Sequence, residues 1–230
     1  MNLKKVYWII WKDIMLEIRA KETIGTMLIF TFLVLVIFAF SFLQPGNRVS
    51  LEIIPGIIWV TIAFTGMLGL NRAFLPEKNN DCILGLVLAP VEKSTIYLGK
   101  VAANFIFLTG VELFSYPLMA VFFNFRIQGP LLYFILVLLL GTIGFSGTGV
   151  FLAALSANTR TSEILLPVVL FPIWIPLILG AVKASGLVLA GRLSDPLWAQ
   201  SFWSWVRLLA VYDLIFLAVS FVLFDYVLEV

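Results

Sequence analysis

Three charged residues stand inside long runs of hydrocarbon: Glu112, Arg207 and Asp213. An ionisable side chain at mid-membrane is costly, so each is a functional candidate by default. Counted from the ends of their apolar runs, Glu112 and Asp213 lie at similar depth and Arg207 lies nearer a surface. Two arrangements are open. Arg207 pairs with Glu112 or with Asp213 and the pair lines a polar cavity, or Arg207 snorkels outward while the acids are protonated or face packed helices. A second set is Pro167, Pro172 and Pro176, all in one apolar run. Each proline removes a helical hydrogen bond, which frees the carbonyls of Glu163, Val168 and Pro172. Freed carbonyls in lipid need partners. Such a helix is either a moving element, or a wall facing a substrate, or a static kink.

A third set is the polar island PEKNNDCILGLVLAP, residues 76–90. Its acids and amides, Glu77, Asn79, Asn80 and Asp81, precede the apolar run from Ile83 to Leu88, which includes Leu84 and Val87. Acids favour a helix N-terminus, Pro90 stops the helix, and Ser94 is placed to cap the next one. The island reads as a short surface helix with an apolar face. It docks into a groove on a soluble partner, or it lies back on lipid headgroups.

Other chemistry is excluded by residue type. There is no histidine and a single cysteine, Cys82. No intramolecular disulfide and no histidine-ligated metal or haem can form within the chain. No G-x-x-x-x-G-K-[ST] phosphate loop is present. No residue is assigned a catalytic, cofactor-binding or metal role, and the chain is not read as an ATPase. Any ATP-driven step would need a separate subunit to supply ATP and magnesium.

The elements that position these residues follow from hydropathy. The chain has 230 residues, 62% hydrophobic and 12% charged, against about 25% charged in soluble domains. That composition defines an all-α integral membrane protein. Crossing the hydrocarbon takes about 20 apolar residues, which predicts six spans near 24–43, 52–72, 97–123, 130–156, 162–182 and 203–225. They form one domain, 1–230, without linker or convincing internal repeat. The runs do not alternate as barrel strands would. Residues 2–22 precede the first span. Leu3, Tyr7, Ile10, Trp11, Ile14 and Ile18 share one face there, with Lys5, Lys12 and Arg19 opposite. This is a basic amphipathic helix resting on the membrane surface, not a cleavable signal peptide.

Ten basic residues (Lys4, Lys5, Lys12, Arg19, Lys21, Arg72, Lys78, Lys93, Lys100 and Arg160) flank the spans on the side of the termini. Four (Arg48, Arg126, Lys183 and Arg192) flank them on the other. The positive-inside rule then puts both termini and the 76–90 stretch in the cytoplasm. Trp198, Trp203 and Trp205 fall at the outer interface. No basic tail exists to bind nucleic acid. In span four, Gly141, Gly144, Ser146, Gly147, Thr148, Gly149, Ala153 and Ala157 form small faces that let backbones approach closely, more simply within the subunit than between subunits.

The 76–90 stretch resembles the cytoplasmic coupling segment of ABC-2-type exporter permeases, through Ile83 and its apolar run, Pro90 and Lys100. Asp81, Cys82 and Leu84 depart from that pattern, which has Gly, Ser or Thr, and Glu at those places. IIPGIIWV (53–60), LLLGTIGFSGTGVFLAAL (138–155) and ILLPVVLFPIWIPLILGA (164–181) resemble the haem exporter protein B family, CcmB, across nearly the whole chain. The resemblance implies a bacterial inner-membrane permease subunit for cytochrome c maturation. It implies a CcmA-like ATPase bound at Glu77, Asp81, Ile83, Leu84, Val87 and Pro90, and a second permease copy. It also implies CcmC- and CcmD-like subunits and a periplasmic haem chaperone, with haem as the material handled. Two rivals stand beside it: an ABC-2 permease for a lipid, glycan or drug, and a membrane assembly factor that transports nothing.

Overall fold

A computed structural model describes residues 3–42, 51–71, 73–74, 91–157 and 162–227. Among these the fold is helical throughout, with α1 (Leu3–Ala20), α2 (Glu22–Phe42), α3 (Ile54–Asn71), α4 (Lys93–Phe123), α5 (Leu131–Ala157), α6 (Ser162–Leu189) and α7 (Pro196–Val227). A 3-10 turn, Arg192–Ser194, joins the last two. The helices α2 to α7 are each long and apolar enough to cross a membrane. The 76–90 stretch lies outside the described residues.

The break between α1 and α2 is built by two residues. Lys21 takes φ 56, a left-handed conformation uncommon for a residue other than glycine. Glu17 then accepts the N–H groups of Thr23 and Ile24 at 2.8 and 3.0 Å, filling the role of an N-terminal cap for α2. The surface helix and the first span are therefore separate elements, as their opposite patterning requires. On α1, Tyr7, Trp11 and Ile18 are exposed, and Tyr7 stacks on Trp11. Ile9 packs against Gly99 of α4, where any Cβ would strike it.

Several helix ends extend beyond the hydropathy windows, whereas α3, Ile54–Asn71, lies within its own. At α4 the N-cap is Glu92, not Ser94, which lies inside the helix and is buried. At α7, Pro196 occupies the first helical position, which suits its fixed φ and missing N–H. Asp195 accepts the Leu197 N–H at 2.9 Å. The helix therefore starts about two turns before the purely apolar run. α6 passes Lys183 and ends at Leu189.

α3 is the innermost helix. Its residues are buried almost all round, from Ile54 to Leu70, by α2, α4, α5 and α6. The tightest layer is α5 on α6 and α7. There the glycines of α5 each meet a helix of the same chain: Gly141 meets Trp59, Gly144 meets Asp213 and Leu177, Gly147 meets Leu217, and Gly149 meets Leu70. The small face serves packing within the subunit.

Candidate functional site

The buried polar groups gather in a seam along α5. On its α4 side, the Thr142 hydroxyl lies between Oε1 of Glu112 and the Leu138 carbonyl, with one proton for two acceptors. One turn on, Asn104 Nδ2 donates to Ser146 Oγ at 3.3 Å. The Tyr97 hydroxyl donates to the Gly147 carbonyl at 3.0 Å. On the α6 side, Trp174 Nε1 donates to Thr148 Oγ1 at 2.8 Å, and Thr148 donates to the Gly144 carbonyl at 2.6 Å. Trp59 of α3 stacks on Phe145, which meets Trp174 edge to face. Trp59 Nε1 donates to Ser185 Oγ at 3.0 Å. The spacing of Thr142 and Ser146, four apart, puts both hydroxyls on one face.

Asp213 of α7 projects against Gly144. It is 6% exposed, and neither carboxyl oxygen has a hydrogen-bond partner among the described residues. Its neighbour Tyr212 donates to the Ile173 carbonyl at 3.1 Å, one residue past the Pro172 carbonyl that Pro176 leaves without a helical donor. Glu112 and Asp213 thus both belong to the seam, on opposite flanks of α5. Arg207 does not. It is exposed and its Nε donates to the Trp203 carbonyl of its own helix. Among the described residues it pairs with neither acid, so the outward, snorkelling arrangement is the observed one. Pro167, Pro172 and Pro176 lie within one continuous helix. Pro172 and Pro176 are exposed and do not line the seam.

A second polar cluster closes the end of the bundle nearest the chain termini. Lys100, 4% exposed, pairs with Asp13 of α1 at 3.4 Å and donates to the Ala73 carbonyl at 2.6 Å. Its ammonium lies 4.7 Å from the centre of the Phe74 ring. Asp13 also meets Lys12 at 3.0 Å. A small cavity of about 60 Å³ beside Lys100 is bordered by Asp13, Glu17, Gly69 and Asn104. Through Asn104 the cluster reaches the seam. One lysine therefore ties α1, α4 and the first residues of the α3–α4 connection. Asp13 was invisible in sequence, being one more acid on a polar face; only its distance from Lys100 distinguishes it.

The seam allows a test of its own. Thr142→Val keeps the shape but leaves Glu112 without its hydroxyl donor. Stranding a buried acceptor costs about 1–3 kcal/mol, so unfolding in mixed micelles should come at lower denaturant. Thr142→Ser should restore most of the loss.

Six membrane-length helices around an enclosed polar seam, with an interfacial helix tied to one end, define a multi-span helical membrane protein of the permease kind. Residues 4–228 match the family described as CcmB protein, and the chain belongs to that family. It is 31% identical over 173 residues to the protein named "Heme exporter protein B" of Rhodobacter capsulatus, covering 74% of this chain and 78% of that one. The protein of that name in Paracoccus denitrificans is 28% identical over 193 residues, 83% and 86% of the two chains. That of Escherichia coli K12 is 30% identical over 183 residues, 78% and 81%. A multi-pass protein of a bacterial inner membrane fits both the spans and these relatives.

Proposed function

We propose that this chain is the membrane subunit of an exporter for cytochrome c maturation. In this reading a separate CcmA-like subunit binds and hydrolyses ATP, and haem, or the release of a haem-loaded chaperone, is the step served on the far side of the membrane. The names of the relatives support the haem assignment. Both termini face the cytoplasm, two permease copies work together, and CcmC- and CcmD-like subunits complete the assembly. The chain itself holds no cofactor. With no histidine in its sequence, it cannot clamp haem iron through imidazole, which suits a protein that passes haem on.

The observation that carries the coupling is the Lys100 cluster. Residues 76–90 are proposed to dock the ATPase, and the connection that leads into them begins at Ala73 and Phe74. Those two residues contact the lysine that also binds α1 and borders the seam. A push on the connection reaches α1 and α4 together.

The test is retention of the ATPase. A large aliphatic side chain buried at such a contact contributes about 1.5–3 kcal/mol, and a charge there adds a desolvation cost. Leu84→Asp or Val87→Asp should therefore release the ATP-binding subunit in detergent pull-downs, with expression unchanged. Asn79→Ala should retain it. Full retention by both aspartate variants would remove residues 76–90 as the docking site.

A further inference from the structure

At the opposite end of the bundle, away from the termini, an open groove of about 480 Å³ lies between the start of α3, the end of α6 and the start of α7. Its volume is in the range of small-molecule sites, about 300–1,000 Å³. Lys183 and Arg192 line it together with Trp198, Trp205, Leu51 and Glu52. The Arg192 guanidinium lies 5.1 Å from the centre of the Trp198 ring, and the Glu52 carboxylate pairs with it at 3.5 Å across an exposed gap. Lys183 is exposed and has no hydrogen-bond or ion-pair partner among the described residues. We propose that this groove binds an anionic amphiphile: the two cations take its carboxylate or phosphate groups while the indole and leucine walls take its apolar body.

The chemistry follows from the parts. Two cations facing an aromatic wall recognise an acid carried on a flat or oily frame, because neither water nor a plain anion would use the indoles. Arginine is the better of the two cations for a bidentate acid. Glu52 pairs with that arginine and acts as the competitor a ligand must displace. Two sources supply such a ligand: a porphyrin dicarboxylate such as haem, or the headgroup and upper chain of an anionic phospholipid. The porphyrin source rests on the function proposed above. The two fail separately, since that reading is tested by ATPase retention and this one by binding.

The experiment titrates haem, its dimethyl ester and phosphatidylglycerol against the full chain in zwitterionic nanodiscs, by absorbance and by retained lipid in native mass spectra. Losing one charged partner should weaken binding about ten-fold, so Lys183→Gln with Arg192→Gln should bind about 100-fold more weakly. Glu52→Gln should bind several-fold more tightly. Haem bound while its ester is not identifies a dicarboxylate. Phosphatidylglycerol retained by the native chain and lost from the double variant, with haem unbound, identifies a lipid headgroup. Binding that ignores all three substitutions overturns the site and leaves the cations as interfacial anchors. Should the double variant not fold, Glu52→Gln decides alone: no tightening overturns the proposal.

Discussion

Trp59→Ala should cost the folded bundle about 3–5 kcal/mol, among the largest losses expected from truncating a described residue. Trp59 is fully buried, lies on the innermost helix, stacks on Phe145 and donates to Ser185. Lipid tails are as apolar as the side chains, so helix association rests on packing and hydrogen bonds. The cavity term then dominates, and the low end of the range applies. The same ring fills the space over Gly141. Gly141→Ala should therefore cost about 1–3 kcal/mol by overpacking, and much less in the Trp59→Ala background, where the methyl enters the cavity. Unfolding in mixed micelles by sodium dodecyl sulfate measures all four chains of that cycle. Additive losses would show that the ring and the glycine are not coupled.

The six spans were legible because hydropathy marks the membrane core. Their ends were not, because capping marks those. α7 begins at Asp195 and Pro196, in a segment too polar for a hydropathy window, and α6 outruns the charge of Lys183 for the same reason. The amphipathic 2–22 segment was legible down to its outward aromatic face, since that pattern is local. The small residues of α5 were legible as a packing face. Their partners were not, for nothing local joins Gly144 to Asp213 across 69 positions of sequence. Glu112 and Asp213 announced themselves by being charged in hydrocarbon. Thr142, Asn104, Ser146 and Trp174, which complete the seam, are ordinary residues for a membrane helix, and only their convergence distinguishes them. Arg207 was ambiguous for a related reason. A long side chain near a surface pairs inward or snorkels, and its Trp203 contact records the second outcome. Residues 76–90 rest on sequence alone.

Lys100→Met should uncouple the interfacial helix from the bundle. The lysine is almost fully enclosed, and its partners include Asp13 on α1, the Ala73 carbonyl and the Phe74 ring. Methionine preserves most of the volume and removes all the charge. The Ala73 carbonyl loses its donor, and Asp13, 12% exposed at its side chain, keeps only the more exposed Lys12. Removing one member of a buried ion pair costs about 3–5 kcal/mol. The remaining Lys12 contact places this case near about 3 kcal/mol. The loss should be local before it is global, because α1 meets little beyond α4 and α2. A cysteine pair at Ile9 and Gly99 is unsuitable, since Gly99 tolerates no side chain there. Limited proteolysis at Lys21 is the better readout. Cleavage between α1 and α2 should speed up several-fold in Lys100→Met, with the melting of the six spans changed less. Lys12→Ala should leave cleavage near the native rate, because Asp13 keeps Lys100. On the proposed function, cytochrome c maturation should also fall in Lys100→Met even where the protein accumulates normally, since a connection no longer tied to α1 would not pass on a push from a partner ATPase. Native cleavage together with native maturation in Lys100→Met would reduce the cluster to a surface ion pair.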